Sequence, residues 1–309
     1  MPRTYPALLI LALAIAPSGA SAAEPLPHIV VLTTQTARPY ELALDAIRTE
    51  LEDKTTLTIE ALNPDRAGEA ERITKLAPDL LLTVGSQATI WAGETGSDVP
   101  IVFAMVLNPV SSGLVESMAR PGGRITGASL DVPLAVQFST LRALVGAERV
   151  AVLYDPKETD LVIRAARRIA ERQGIELVPI RVEGPAELDE ALTQLDDSLD
   201  ALWSVADRTI FAHGAVERVL LQTLHERLPF MGLSEPYVRA GALFALTTSF
   251  EENGRHAAVL VERVLAGEPP AKIAIAVPEQ VEIVFNPLTA ERIGFERSSA
   301  TGLALRELR

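Results

Sequence analysis

Residues 100–127 read PIVFAMVLNPVSSGLVESMARPGGRITG, and this stretch decides the fold. It opens with an uncharged apolar run, 101–107, which is rich in β-branched residues and has the length of a strand buried on both faces of a sheet. Asn108-Pro109 then breaks the run, and Pro121-Gly122-Gly123 indicates a sharp reversal of the backbone. We therefore expect a central strand whose end faces a crevice, followed by a connection out of the first half of the chain.

Apolar runs of strand length alternate with segments of helical period over the rest of the chain. Such alternation is typical of parallel sheets covered by helices on both faces, which is an α/β fold. The alternation runs once before Gly127 and again after it, so the pattern indicates two doubly wound parallel-sheet lobes. We predict strands at 28–34, 57–62, 79–85, 100–107, 149–155, 175–182, 201–207, 229–232, 241–249 and 281–286. We predict helices at 40–51, 65–76, 132–144, 160–173, 185–195, 216–228 and 251–266.

Composition narrows the class of protein. A chain of 309 residues is long enough for two domains. The absence of cysteine excludes disulfides, thiolate metal sites and a cysteine nucleophile. A net charge of -13 argues against a nucleic-acid partner, because phosphate contacts need clustered Lys and Arg.

The N-terminus, 1–23, has the layout of a secretory signal peptide. Arg3 precedes an apolar block at 7–16, a breaker at Pro17 and small residues at 20–23. A membrane anchor would need about 20 apolar residues, roughly twice the length of this block. We expect cleavage after residue 22 or 23, a periplasmic location, no lipid-modified cysteine and no stable membrane insertion after cleavage.

The opening stretch also resembles a family signature. The run PIVFAMVLNPVSSGLV followed by ARPGGRITG is similar to the pattern of ABC-transporter substrate-binding proteins with the type I periplasmic-binding fold, and the resemblance extends over nearly the whole mature chain. That pattern has a PIVF strand, an Asp-Pro, a GLV and a PGGNxTG. This chain departs from it twice, with Asn108 in place of the aspartate and Arg124 in place of the asparagine.

The resemblance implies three crossings of the chain between the lobes, near Gly127, Ala245 and Val277. The expected first lobe is then 24–127 plus 246–276, and the second is 128–245 plus 277–309. The resemblance also implies a function: closure of the lobes on a small polar ligand, an amino acid or similar organic acid, and recognition of the closed form by an ABC permease. We expect no enzymatic activity and no cofactor.

Candidate ligand-binding residues follow from the rule that open parallel sheets bind ligands outside the carboxyl ends of their strands. The polar residues just past the predicted strands, or near the return crossing, are Gln35, Thr36, Ser86, Gln87, Asn108, Tyr154, Asp155, Asp207, Ser234, Glu235 and Thr248. Our sharpest hypothesis is that Ser86 and Asp207 grip opposite ends of the ligand from opposite lobes.

Several of these residues have a structural alternative. Ser86 could cap the helix that follows it, or its helix N-terminus could bind an anion. Asp207 could likewise cap a helix, and Asp155-Pro156 and Asn108-Pro109 are both turn signals. Asn108 removes a negative charge from the family's cleft, which weakens the case for an amino-acid ligand. Arg124 is expected on the solvated surface beyond the Pro-Gly-Gly turn.

Other chemistries find little support. The four histidines, at 28, 213, 225 and 256, have no spacing typical of a metal site, so no metal is expected. The sequence has no G-x-S-x-G nucleophile elbow, no Walker loop and no G-x-G-x-x-G after a strand. Both tryptophans, Trp91 and Trp203, lie in apolar patterns and are expected in the core. Two competitors stay open: a ligand sensor that presents its closed form to a membrane sensor kinase, and an exported enzyme that uses cleft carboxylates.

Overall fold

The computed structural model of the protein describes residues 25–63, 68–211, 214–296 and 302–308. The predicted signal peptide lies outside these residues. The described strands are β1 (His28–Thr33), β2 (Thr56–Ala61), β3 (Leu80–Val84), β4 (Ile101–Val106), β5 (Ile125–Ser129), β6 (Arg149–Tyr154), β7 (Glu176–Arg181), β8 (Ala201–Trp203), β9 (Phe230–Gly232), β10 (Phe244–Thr247), β11 (Glu282–Phe285) and β12 (Leu305–Glu307). The described helices are α1 (Arg38–Leu51), α2 (Glu69–Lys75), α3 (Ser86–Glu94), α4 (Leu134–Val145), α5 (Pro156–Arg172), α6 (Leu188–Leu192), α7 (Ala215–His225), α8 (Glu235–Ala240), α9 (Phe250–Leu265) and α10 (Pro287–Ile293).

The first five strands form one parallel sheet of order β2-β1-β3-β4-β5. All six residues of β4 are buried, as expected for the apolar run that opens the 100–127 stretch. Helix α9, from late in the chain, packs against α1 and over β4 and β5. A single bridge between Ala128 and Ala276 adds the segment after α9 to the edge of this sheet. The first lobe therefore contains two separate parts of the chain.

The other seven strands form a second sheet of order β12-β11-β10-β9-β8-β6-β7. Its strands β6 to β10 are parallel, but β10 and β11 pair antiparallel, so this sheet is mixed rather than wholly parallel. The topology gives the reason. The chain leaves this sheet at the end of β10, builds α9 in the first lobe and returns at the same end, so β11 must run in the opposite direction.

Three connections link the two sheets, at 130–133, 248–249 and 277–281. Each lies within a few residues of an expected crossing. The lobe boundaries themselves stay a prediction, because membership of a sheet does not by itself define where a domain ends. Among the described residues, none of the helices combines the length and the apolar character needed to cross a bilayer.

Most predicted elements are present, with shifted ends. Helix α5 begins at Pro156 rather than 160, because Asp155 is its N-cap and accepts a hydrogen bond from the amide of Lys157. The predicted helix 185–195 is only the short α6, and the predicted strand 201–207 ends at Trp203. The predicted strands and helices do not include β5, α8, α10 and β12. The first part of the predicted helix 65–76 lies outside the described residues.

Two glycines, Gly127 and Gly254, allow neighbouring elements of the first lobe to pack closely against each other. A Cβ built on Gly127 of β5 would lie 2.3 Å from Cγ of Phe103 on β4, and one on Gly254 of α9 would lie 2.3 Å from the carbonyl oxygen of Ala43 on α1. Beside this contact the ladder between β4 and β5 is irregular, and Met105 has a φ of 59°. Buried Asn253 stabilises this bulge, because its side chain accepts from the amide of Met105 and donates to two carbonyls of β5 and its end.

Candidate ligand-binding cleft

A cavity of about 1190 Å³ opens between the two lobes. Its first-lobe side includes Leu107 to Ser111, Met118 and Phe250, and its second-lobe side includes residues of α4, α5 and α8 and of the ends of β8, β9 and β10. The connections 130–133 and 277–281 also contribute to its lining. This cavity, which we call the cleft, therefore lies where the strand-end rule for open α/β sheets expects a ligand.

Large apolar side chains form most of the cleft wall. Trp203 is buried, and its ring packs against Phe138 with centroids 5.0 Å apart. Its indole Nε1 donates to Oε1 of Gln137, another cleft residue, at 2.6 Å. Tyr237 lies on the same second-lobe side, and its ring meets Phe211 edge to face at 5.6 Å. Trp203 was expected in the core, and it forms both core and cleft wall.

A group of polar residues that we call the Asn108 corner, made of Asn108, Ser129 and Asp131, lies at the hinge side of the cleft. Asn108 has a φ of 51°, and its amide donates to Oδ2 of Asp131 at 2.8 Å. The hydroxyl of Ser129 donates to the same oxygen at 2.9 Å. The side-chain amide of Asn108 reaches the carbonyl oxygen of Ala206 in the second lobe at 3.4 Å. The corner therefore touches both lobes.

The pKa of the Asp131 carboxyl is shifted far from its ordinary value. Burial raises the pKa of this carboxyl from its ordinary value of 3.8 to about 6, although hydrogen bonds from Ser129 and Asn108 oppose the shift. Those bonds occupy Oδ2. No described residue donates a hydrogen bond to Oδ1, so the second oxygen keeps its capacity to accept one from a ligand.

Four charged residues form an ion-pair network at the opposite, second-lobe part of the cleft. Glu235 pairs with both Arg239 and Arg306, and Arg306 also pairs with Glu282. The hydrogen bond from Arg306 is the main reason that the pKa of the Glu235 carboxyl lies below its usual range. The two arginines and two carboxylates balance in charge, and strand β12 supplies Arg306 to this wall.

Four of the eleven sequence-predicted residues line the cleft: Asn108, Ser234, Glu235 and Thr248. Ser234 lies at the N-cap of α8 without a side-chain capping bond. Among the described residues, the hydroxyls of Ser234 and Thr248 have no hydrogen-bond partner, so both can bond to a ligand.

Another five predicted residues lie outside the cleft lining, four of them on the first lobe and one in the second-lobe core. Gln35 and Thr36 are exposed beyond β1, and Tyr154 is buried in the second-lobe core. Ser86 is the first residue of α3, and the N-cap is Gly85 with a φ of 97°, so the alternative in which Ser86 caps this helix is wrong. The exposed Gln87 follows it in the same helix. The ligand roles of these residues stay predictions.

The remaining predicted pair, Asp155 and Asp207, belongs to a buried polar group that we call the Asp207 corner, together with Thr159 and Thr209. Asp207 Oδ2 accepts from the amide of Asp155 at 2.8 Å and from the hydroxyl of Thr159 at 2.7 Å. Its Oδ1 accepts from the amides of Thr209 and Ile210 at 3.0 and 3.2 Å. Both oxygens therefore bond within the second lobe, which fits the structural alternative for Asp207. Its ligand role stays a prediction.

Sequence reasoning missed Asp131 as well as Arg239, Arg306 and Tyr237. Asp131 could have been found, because it lies two residues beyond the end of β5 and the strand-end rule applies to it once 125–129 is recognised as a strand. Arg306 had no such signal, because the strand that holds it, β12, was not predicted.

Arg124 differs from its expected solvated position. Its guanidinium is half-buried and donates to the carbonyls of Val99 and Ala92 at 2.8 Å and of Gly93 at 3.2 Å. Two of these carbonyls belong to the last turn of α3, where a cation complements the helix dipole. Burial lowers the pKa of Arg124. The expectation of a surface role is therefore wrong, and the side chain instead ties β5 to the end of α3.

Comparison with known proteins agrees with this architecture. A tyrosine-binding protein of Clostridioides difficile is 23% identical over 243 residues, which is 78% of this chain and 70% of the relative. An ABC domain of Streptococcus pneumoniae in complex with L-Trp superposes with a TM-score of 0.63 at 20% identity, over 87% of this chain and 95% of that one. The ligand-free, open structure of a substrate-binding protein with adhesive properties from Clostridium difficile gives 0.73 at 18% identity, over 92% and 100%.

The fold of these neighbours is the type I periplasmic-binding fold expected from the sequence. The model of the family described as ABC transporter substrate binding protein matches residues 54–300, which is most of the chain. Members of this family bind substrates and are not enzymes, as the sequence also predicted. The chain therefore belongs to the ABC transporter substrate-binding protein family.

Proposed function

We propose that this protein captures an aromatic amino acid in the cleft, closes its lobes over it and delivers it to an ABC permease. The observation that carries the proposal is the lining of the cleft, in which an extended apolar wall from both lobes meets a partly satisfied carboxylate at Asp131. An amino acid with a large apolar side chain offers the matching pair of features, a flat ring and an ammonium group.

The apolar wall supports the aromatic part of the proposal. Ligand pockets in proteins are mostly apolar, with a few polar groups that orient the ligand. Trp203, Tyr237 and Phe250 give this cleft aromatic surface on both lobes. The relatives reported above, one named for tyrosine and one in complex with L-Trp, support the same ligand class.

The Asn108 corner supports the ammonium part. In this proposal Oδ1 of Asp131 accepts a hydrogen bond from the ligand's ammonium, so Asp131 supplies the negative charge that Asn108 does not. Binding the cation would also favour the ionised carboxylate and lower the pKa that burial has raised to about 6. Asn108, Ser234 and Thr248 offer further polar contacts, and Arg239, which also pairs with Glu235, is the cation that we assign to the ligand's carboxylate.

Exposed leucines on both sides of the cleft support the closing motion. Leu107 of the first lobe is 44% exposed and Leu161 of the second is 58% exposed, and both line the cleft. Closing about the connections 130–133, 248–249 and 277–281 would bury apolar surface from both lobes together with the ligand's ring. A ligand drives such closure only through contacts that it makes in the closed form alone.

Calorimetric titration of the mature chain tests the ligand class. L-Tyrosine and L-tryptophan should bind with one-to-one stoichiometry, and L-leucine should bind more weakly. Failure of both aromatic amino acids to bind at millimolar concentration would refute the assigned class.

A matched pair of variants tests the ammonium contact. Asp131→Asn should weaken binding of L-tyrosine by about tenfold or more, roughly 1.4 kcal/mol, because the buried charge–charge contact is lost. Binding of 3-(4-hydroxyphenyl)propanoate, which lacks the ammonium, should stay the same. Asp160→Asn changes a half-buried carboxylate on α5 that pairs with Arg164 and does not line the cleft, and it should leave both affinities unaltered. Equal loss for both ligands in Asp131→Asn would contradict the assigned contact.

The periplasmic location and the permease partner are part of the proposal. They rest on the signal-like segment 1–23 and on family membership. Uptake of labelled ligand into cells should require this protein together with its permease and ATPase. A protein expressed from a gene without codons 2–23 should stay inside the cell and fail to support uptake.

A further inference from the structure

Three side chains with metal-binding atoms converge at the third connection between the lobes, away from the cleft wall. Glu252 and His256 are four residues apart on α9, so they lie on one face of the helix. Glu279 joins them from the connection 277–281. Their nearest ligand atoms all lie within 4.8 Å of one another. The Nε2 atom of His256 is 3.8 Å from Oε1 of Glu252 and 4.0 Å from Oε1 of Glu279.

The three side chains make no short hydrogen bonds to one another. Both separations are too long for hydrogen bonds. The side chain of Glu252 is only 13% exposed, yet among the described residues no Lys or Arg pairs with Glu252 or Glu279. The hydrogen bond that Glu252 does accept, from the amide of Glu279, is long at 3.3 Å.

The position of Glu252 in its helix is a second, independent indication. Ser249 caps α9 and accepts from the amide of Glu252, which makes Glu252 the N3 residue of a Ser-x-x-Glu sequence. A glutamate at N3 commonly turns back to bond to the amide of the capping residue. Here its carboxylate instead turns toward His256 and the amide of Glu279. The carboxylate therefore forgoes a local bond to face the cluster.

We propose that Glu252, His256 and Glu279 bind a divalent cation of the zinc type. One imidazole nitrogen and two carboxylate oxygens are a ligand set that Zn²⁺ accepts, at bond lengths of about 2.0 to 2.2 Å, with water in the fourth position. Glu279 is 80% exposed, so its side chain can move inward to complete the site. Magnesium is a poor fit, because it demands near-octahedral oxygen coordination.

The site would join the two parts of the hinge. Glu252 and His256 belong to a helix of the first lobe, whereas Glu279 belongs to a segment that leads into β11 of the second. A bound cation would hold the connection 277–281 against α9. We therefore expect slower amide hydrogen exchange in 277–281 when Zn²⁺ is bound.

Calorimetric titration of the untagged mature chain with zinc chloride tests the site. The wild-type chain should bind one equivalent, whereas His256→Ala and Glu279→Gln should each weaken binding by about tenfold or more, as loss of one of three ligands requires. The matched control is His225→Ala, because His225 is an exposed histidine beside a carboxylate, with Nδ1 3.0 Å from Glu226. This control should bind zinc like the wild type.

Several results would overturn the proposal. It is wrong if the wild-type chain binds no zinc at micromolar concentration, or if His256→Ala binds as tightly as the wild type. Thermal unfolding of each variant without zinc shows whether it is folded. If His256→Ala does not fold, Glu279→Gln decides alone, because Glu279 is exposed and its replacement leaves the helix intact.

Discussion

The Asn108 corner and the Asp207 corner begin with the same sequence pattern and end in different environments. Each has a polar side chain just past an apolar run of the sheet, in the first and the second lobe respectively. Asp207 has both oxygens bonded to amides and a hydroxyl of its own lobe. Asp131, next to Asn108, has one oxygen without a partner among the described residues and faces the cleft. The difference teaches that hydrogen-bonding capacity left unused inside the fold, rather than position at a strand end, distinguishes a candidate ligand contact.

Replacement of Asp207 should have the largest effect of the variants that probe this comparison. Asp207→Ala leaves three backbone amides and the hydroxyl of Thr159 without their acceptor, so we expect a loss of unfolding free energy of about 3 kcal/mol or more. Urea unfolding measures it. Asp196→Ala, which removes an acceptor from an exposed turn, is the control and should change stability little.

The same variant tests the ligand role that the sequence suggested for Asp207. Because both oxygens of Asp207 bond within the second lobe, we expect the folded Asp207→Ala protein to bind ligand within about twofold of the wild type. A tenfold loss would correspond to about 1.4 kcal/mol. A much larger loss of affinity would break the contrast between the two corners.

Gly127→Ala should have the next largest effect, because it disturbs the strand that leads into the Asn108 corner. The new Cβ would clash with the ring and the carbonyl oxygen of Phe103, at 2.3 and 2.4 Å, so β5 must shift away from β4. We expect a loss of stability of about 2 to 3 kcal/mol together with weaker ligand binding, measured by urea unfolding and calorimetry.

Gly184→Ala is the matched control for that variant. No atom lies within 4 Å of a Cβ built there, so stability should be nearly unchanged. If Gly127→Ala is as stable as the wild type and binds ligand equally well, the close contact with Phe103 does not position the corner.

The raised pKa of Asp131 in the Asn108 corner predicts a pH dependence of ligand affinity and of stability. In an aromatic amino-acid complex the ionised carboxylate accepts from the ammonium, so affinity should fall as pH drops through about 6. Without ligand the sign is the opposite for stability. The folded chain holds this proton up to about pH 6 and the unfolded chain loses it near 3.8, so this group's contribution is fully present below about pH 4 and is lost as pH rises through 6.

Asp131→Asn isolates both effects. The difference in unfolding free energy between wild type and variant should change between about pH 4 and 6, and the affinity of the variant should lose its dependence near pH 6. A wild-type affinity that stays constant from pH 5 to 8 would contradict an ionised Asp131 in the complex.

The smallest effect should come from Arg208, which lies on the surface of the Asp207 corner. Its guanidinium forms a two-point ion pair with Glu158, but the arginine side chain is 85% exposed. Arg208→Ala should therefore change stability by less than about 1 kcal/mol, with no change in affinity. A loss of affinity in this variant would instead identify Arg208 as a ligand contact.

The sequence by itself determined the fold class of this protein, its family and the order of most of its elements. The alternation of apolar runs and helical periods is local, and most of the runs are long enough to identify their elements. The apolar run of β4 is an example, because a strand buried on both faces admits only such residues. The strand-end rule also found Asn108, Ser234, Glu235 and Thr248, which line the cleft.

Only the tertiary structure decided which polar groups remain available to a ligand. Asp207 and Asp131 each accept from a nearby residue and from one that is distant in the chain, Asp155 for Asp207 and Asn108 for Asp131, and the distant donors cannot be read from the local sequence. The reversed direction of β11, the docking of Arg124 on α3 and the meeting of Glu279 with His256 likewise depend on contacts between remote segments. Periodicity along the chain carries no information on such contacts, because they arise only when the lobes are assembled.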